Sequence, residues 1–459
     1  MLTGNVTQTV LFRDLFSKPL VARFDRSHAS SDGGAVLLAA ADRRLGLLDR
    51  LAGCLEDRRQ PGKVRHALQS LLAQRVHALA CGYPDGNDAA RLATDPVHKL
   101  LAGYDPLGED LLASQPTLSR FENAVGPREL FRMAEALAET VIERHRRRRK
   151  GRARRITVDL DITDDPTHGA QQLTFFNGFY DTWCYLPLVG FITIDREPEQ
   201  HLVAAVLRPG NAGRRLAVLG LLRRLVDRLH RAFPKARVLV RLDSGFVFPE
   251  LFDYLDRRPR LDYVVAYARN SVLERAAAHD MRLARRASRR TGHSERVYGQ
   301  VFYQADTWPC RRRVVYKAER LLAPDKKPKD NLRFVVTNLS GSSQTIYERI
   351  YCPRGDAENR IKELLGDLAL GRTSCSRFWA NQFRVLLTAA AYVLFQEIRF
   401  HARRTRLARA QVATLRDMLL KLGAEVERSV RRFVIHLPAT APYRDAWQRI
   451  ATGLGARVG

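Results

Sequence analysis

The stretch ITVDLDITDDPTHG, residues 156–169, decides how the chain is read. Val158, Leu160 and Ile162 alternate with Thr157, Asp159, Asp161 and Thr163, the period of two that marks a strand. One face is therefore apolar and the other carries two carboxylates. Burying such a face is costly unless it opens onto water, cations or a metal. The stretch is predicted to be the first strand of an α/β core, and its acidic face a site.

Outward from it, strands are predicted at 187–195 and 201–207, joined by the polar turn DREPEQ, followed by the helical AGRRLAVLGLLRRLVDRLHRAF. RVLVRLDSGF, residues 237–246, is a fourth strand ending at Asp243, with Gly245 expected to take a positive φ in the turn. A carboxylate at the end of such a strand stands where open α/β sheets place their sites. Pro249 opens a short helix, and LDYVVAYA is a fifth strand. A three-strand meander, then helix, strand, helix, strand, is the order of a ribonuclease-H-like core.

Residues 30–140 carry helical periodicity, as in GGAVLLAAADRRLGLLDRLAG and GKVRHALQSLLAQRVHALACG. In SQPTLSRFENAV, Ser114 is expected to cap a helix whose Arg120 can reach phosphates or base edges. ERHRRRRKGRARR, residues 143–155, has nine Lys or Arg in thirteen and includes Arg146, Arg147, Arg148 and Arg149. It is read as a domain boundary and a phosphate-binding stripe. Residues 271–331 are predicted as a β-rich insertion, with two strands around a turn at Trp308-Pro309 and LLAPDKKPKDN as loop. From about Tyr347 to Arg404 the pattern is helical, and RFWANQFRVLLTAAAYVLFQEIRF suits a buried helix rather than a membrane span.

The predicted class is thus α/β: a ribonuclease-H-like mixed sheet with flanking helices, a β-rich insertion and an N-terminal helical DNA-binding region. The expected boundaries are 1–150 for that region, 151–270 and 332–404 for the two parts of the core, 271–331 for the insertion, and 405–459 for a C-terminal region.

Lys and Arg number 77 against 49 Asp and Glu, a net charge of +28, which points to a polyanionic partner, with nucleic acid the usual one. The six cysteines form no CxxC pair, so neither a zinc site nor a disulfide scaffold is indicated. The start, MLTGNVTQTVLFRDLF, lacks the order of a signal peptide. A reduced, soluble, cytoplasmic protein is expected.

A third acid lies in YCPRGDAENRIKELLGDL. At 100° per residue Tyr351, Arg354, Glu358 and Lys362 fall within an arc of roughly 80°. Ala357, Ile361, Leu364 and Leu365 occupy the adjoining arc and would seat the helix on the sheet. Asp161 or Asp159 on the first strand, Asp243 after the fourth and Glu358 on this helix can together hold two hard divalent cations about 3.5–4 Å apart.

These motifs resemble those of bacterial insertion-sequence DDE transposases. The matching features are Asp161-Ile162-Thr163 after a strand, Asp243 after VLVRL, and Tyr351, Arg354 and Glu358 on the last helix, with SSDGGAVLL and DPTHG in support. The family's Asp-x-Ser/Thr pattern selects Asp161 over Asp159. Where the family's motif has a lysine seven positions after the glutamate, this chain has Leu365, and Lys362 is the substitute. The resemblance implies Mg²⁺ or Mn²⁺, two ions per site, bound by Asp161, Asp243 and Glu358. It also implies nicking at inverted-repeat ends, joining of the 3′-hydroxyl to target DNA, and a homodimer on paired duplex ends. A base-stacking aromatic in the insertion is implied as well, with Trp308 the candidate. The alternatives are a metal-dependent nuclease without strand transfer and a domesticated DNA-binding protein. A two-carboxylate glycosidase fits the acids but not the charge.

Overall fold

The computed structural model describes residues 10–12, 16–323 and 326–457. Its helices, in chain order, include α1 (Val36–Leu45), α2 (Leu68–Ala80), α3 (Gln115–Ala124), α4 (Pro127–Arg149), α5 (Val218–Ala232), α6 (Pro249–Arg257), α7 (Ser271–Thr291), α8 (Asp356–Lys362) and α9 (Phe378–Ala402). The main strands are β1 (Arg155–Ile162), β2 (Leu188–Ile194), β3 (His201–Val206), β4 (Arg237–Leu242), β5 (Leu261–Tyr267), β6 (Glu295–Tyr303), β7 (Arg312–Ala323) and β8 (Lys326–Thr337).

These eight strands form one sheet, in the order β6-β7-β8-β5-β4-β1-β2-β3. β4 runs parallel to both β1 and β5, whereas β2 is antiparallel to β1 and β3 to β2. The part β5-β4-β1-β2-β3 is the ribonuclease-H-like core. Arg241 of β4 stands opposite Asp159 of β1. Two residues further along each parallel strand, the register brings Asp243 beside Asp161.

The stretch 271–331 extends this sheet, because β8 pairs antiparallel with β5 and carries the β6-β7 hairpin beyond it. It also opens with a helix that the strand reading passed over: α7 buries Leu273, Ala277, Met281, Ala284 and Ser288 at near-helical spacing. The expected loop LLAPDKKPKDN is mostly ladder, with Leu321 opposite Lys329 and Arg320 opposite Asp330. Its Pro and Lys content signals a loop locally, but cross-strand partners such as Arg320 Nη1 on Asp330 Oδ1 at 2.7 Å hold it extended. Pro324 and Asp325 lie outside the described residues.

Trp308 is 4% exposed and is not a stacking platform. Its ring meets Phe252 at 5.1 Å, Tyr267 at 5.2 Å and Tyr303 at 5.7 Å, with the Arg312 guanidinium 4.8 Å away. The turn after β6 folds back on the core, which a residue count from the turn could not show. Trp308→Ala is therefore expected to destabilise the protein by about 3 kcal/mol, read as a lower urea midpoint. A variant as stable as the parent would contradict the packing.

The basic run also needs correction. Residues 143–149 of it close α4, and its last residue, Arg155, opens β1. Arg148 Nη2 donates to Glu197 Oε2 at 2.7 Å and Arg149 pairs with Asp195, so two of the four arginines clamp the β2–β3 turn. Arg146 and Arg147 are exposed and share Glu143, at 2.5 and 2.8 Å.

α9 is buried along most of its length. It closes the open edge of β3 through two glutamines, an edge that would otherwise invite strand pairing. Leu202 N–H donates to Gln396 Oε1 at 3.1 Å and Leu207 N–H to Gln382 Oε1 at 2.6 Å. Its charges are paired internally, Arg399 with Glu363 at 2.6 Å and Glu397 with Arg144 at 2.8 Å. Among the described residues no helix is long and apolar enough to cross a membrane. SSDGGAVLL joins the two ends of the chain: Asp32 binds His98 and Lys421, both at 2.8 Å, and Gly33 N–H donates to Leu422 O. A Cβ on Gly34 would lie 1.8 Å from Leu419 O, so only glycine allows this approach.

Candidate active site

β1 delivers Asp159 and Asp161 to one face, and the structure treats them differently. Asp159 is 1% exposed and gripped by Arg241, whose Nε and Nη2 donate to its two oxygens at 2.7 Å each. Gln200 Nε2 adds a third bond at 3.2 Å. Asp161 takes one donor from β1 itself, Ile162 N–H at 3.0 Å, and one from elsewhere, Arg354 Nη1 at 2.7 Å.

Arg354 comes from a helical segment that changes pitch three times. A wide π-type stretch at Thr345–Tyr351 is followed by a tight turn at Cys352–Gly355, then α8, then a second wide stretch at Glu363–Asp367. Such irregular helices often mark functional sites. Ile346 and Tyr347 pack on Leu239, Val264, Val315 and Val335, fixing the segment to the sheet. Ala357, Ile361 and Leu364 are buried as predicted, with Leu365 partly buried against the core. This seat aims the Arg354 fork at the strand ends, where its Nη2 lies 3.8 Å from Asp243 Oδ2.

Asp243 accepts the Gly245 N–H at 2.7 Å. Gly245 is not among the residues with positive φ. The role expected of it, conformational freedom, is replaced by clearance: a Cβ there would lie 2.9 Å from Asp243 Oδ1. Glu358 is exposed on the first turn of α8. Burial pushes the Asp161 carboxyl up to about 6; Arg354 opposes this, while Asp243 and Glu358 add to it. Tyr351 is half-buried, and burial raises its hydroxyl while the Arg354 charge opposes this. Lys362 is exposed at the end of α8, and Arg120 is exposed on α3 with Nη2 3.1 Å from Thr117 Oγ1.

Among the described residues two groups of His, Cys, Asp or Glu hold their ligand atoms within 4.8 Å of one another: Asp32, Cys81 and His98, and His145, Glu197 and His201. Both are already engaged, Asp32 by Lys421 and Glu197 by Arg148. Asp161, Asp243 and Glu358 form no group as tight. Two of them instead surround one guanidinium, and the third adds its charge to theirs.

Over residues 12–457 the chain matches the family described as Transposase DDE domain group 1. The chain belongs to that family. No curated protein matches it by sequence. Among solved structures it is similar to a piggyBac transposase determined by cryo-EM as a synaptic complex with hairpin DNA. The identity is 11% and the TM-score 0.40, over 85% of this chain and 77% of that one.

Three residues near the acids of this DDE-family chain escaped the sequence reading as individual site residues: Asp164, Asp165 and Tyr180. Asp164, Asp161 and Asp243 all add to the effect of burial on the Tyr180 hydroxyl, pushed up to about 12. Asp165 is fully buried, accepts Thr373 Oγ1 at 2.7 Å and leaves Oδ1 without a partner, and burial pushes it up to about 7. The folded state therefore keeps a proton that the unfolded chain, with its ordinary value of 3.8, gives up. Stability from this group is present at low pH and lost as pH rises from about 4 towards 7. Asp165→Asn is expected to remove that decline, raising the melting temperature at pH 8 more than at pH 4. Equal shifts at both pH values would show that the carboxyl is not protonated in the fold. The signal that could have found Tyr180 is its surroundings, FFNGFYDTW, with five aromatics in nine residues.

Proposed function

We propose that this DDE transposase nicks DNA at the ends of its element and joins the freed 3′-hydroxyl to target DNA, with Asp161, Asp243 and Glu358 holding Mg²⁺ or Mn²⁺. The observation that carries the reading is the convergence of two strand-end carboxylates on the cation Arg354, with a third acid near enough to raise the Asp161 carboxyl. The guanidinium stands in for a hard dication, since carboxylate oxygens are the donors that Mg²⁺ and Mn²⁺ prefer. Bound there, such ions would activate the attacking oxygen and stabilise the leaving one. Asp159 is less suited, because both its oxygens are committed to Arg241.

The chain's own residues then divide the remaining work. Arg354, released from Asp161, is placed to meet a phosphate at the strand ends, with Tyr351 orienting it and Lys362 further along the same helix. Arg146 and Arg147 are exposed in the basic run, as are Lys150, Arg152, Arg154 and Arg155, and Arg120 presents a further cation from α3. Terminal inverted repeats and target DNA are the proposed partners, bound as paired ends by a homodimer. The test is a plasmid carrying the inverted repeats that flank the gene, incubated with protein and Mg²⁺. Cleaved ends and joined products are expected. Cleavage without joining would make the protein a nuclease, and binding without cleavage a DNA-binding protein.

A further inference from the structure

Between β1 and β2 the chain leaves the main sheet and builds a small flap of three strands, Asp165–Pro166, Thr182–Tyr185 and Phe175–Asn177, with Thr182–Tyr185 in the middle. Phe176 stands directly opposite Trp183, which puts both rings on one face. Their centroids are 6.4 Å apart, and they are 53% and 55% exposed. At the tip Phe179 is 87% exposed and meets Tyr180 edge-on at 4.9 Å.

The backbone beneath these rings is fixed. Asn177 Oδ1 accepts the Phe179 N–H at 3.0 Å, while Asn177 Nδ2 donates to Gly210 O at 2.8 Å. A Cβ on Gly210 would lie 2.1 Å from Cys184 O, so the loop at 210 is pressed onto the flap. That loop continues to Arg214 and Arg215, both exposed. On the inner side Tyr180 lies within range of the charges of Asp161, Asp164 and Asp243.

We propose that Phe176, Phe179 and Trp183 form a stacking platform for unpaired nucleobases of the DNA strand that enters the Asp161–Asp243 centre, with Arg214 and Arg215 on the adjoining phosphates. The inference rests on the function proposed above, which makes the neighbouring acids a phosphodiester centre. Every base offers a π-face, so rigid exposed rings bind unpaired strands with little regard to sequence. A base pair inside a duplex has both faces covered by its neighbours, so the platform distinguishes unpaired DNA from duplex. The net charge of +28 suits a polyanion over an acidic protein partner in the same place.

The test uses the full-length protein in EDTA, with fluorescence anisotropy of an oligothymidylate about 12 nucleotides long, within the range of single-strand site sizes, and of a blunt duplex. Phe176→Ala, Phe179→Ala and Trp183→Ala are each expected to weaken oligothymidylate binding about tenfold and to leave duplex binding within about twofold. Trp183→Phe, which keeps a ring, should retain most of the affinity. Unchanged oligothymidylate binding in the three alanine variants would overturn the platform, and so would an equal loss on both probes. Mg²⁺-dependent cleavage by the parent protein reads the underlying function separately. If cleavage persists while the flap variants bind normally, only the platform fails; if the parent cuts no DNA, the function beneath it fails.

Discussion

Asp161→Asn, Asp243→Asn and Glu358→Gln are each expected to lower cleavage and joining of end-containing DNA on the order of 10⁴-fold, because members of one constellation fail together rather than additively. DNA binding should survive in all three, since each change removes a negative charge from the path of a polyanion. Asp159→Asn is the informative control. It leaves Arg241 buried without its anionic partner and sets an amide NH2 against one of its donors, so its main effect should be on stability, on the order of 3 kcal/mol, with activity only partly reduced at temperatures where it is folded. The measurement is Mg²⁺-dependent cleavage for each variant beside its urea unfolding curve. Robust activity in Glu358→Gln or Asp243→Asn would remove the site. A folded but inactive Asp159→Asn beside an active Asp161→Asn would move the first ligand by two residues.

Duplex binding is expected to weaken by about 10³ between 50 and 200 mM salt, the loss that follows from neutralising six or so phosphates. The structure sharpens which arginines account for it. Arg146→Ala with Arg147→Ala should weaken all sequences alike, since both side chains are exposed and Glu143 is an easily exchanged partner. Arg148→Ala and Arg149→Ala should instead lower stability, because they release Glu197 and Asp195 at the β2–β3 turn. Arg120→Ala should discriminate, costing more on terminal-repeat DNA than on unrelated duplex. A titration that shows no salt dependence would exclude phosphate contacts as the main source of affinity. Stability losses from Arg146 and Arg147 as large as those from Arg148 would show that the whole run is structural.

Several features were legible because they depend on neighbours in sequence. The alternation in 156–163 set β1 and put Asp159 and Asp161 on one face, as β1 of the structure shows. The arc of Ala357, Ile361 and Leu364 predicted the buried side of α8, and the strand-helix order predicted the core of the sheet. The helical pattern from about Tyr347 to Arg404 does not show where one helix ends and the next begins. It breaks between Asp367 and Phe378, where Ala369 takes a positive φ of 52° although glycines stand nearby at 366 and 371, so the residue that turns the chain is not the one its sequence points to.

What the sequence by itself determined is what short-range physics controls. Periodic burial fixed the strands of the core and the faces of their side chains, and summed charge pointed to a polyanion. Tertiary structure alone decided which charges remain free and which aromatics face solvent. Arg354 and Asp161 are 193 residues apart and Arg241 and Asp159 are 82 apart, yet these pairings separate two aspartates that look alike on one strand. Likewise Trp308 is enclosed by Phe252 and Tyr267 while Trp183 stands exposed on the flap. Burial and ion pairing depend on what the fold brings alongside a residue, and the partners come from anywhere in the chain.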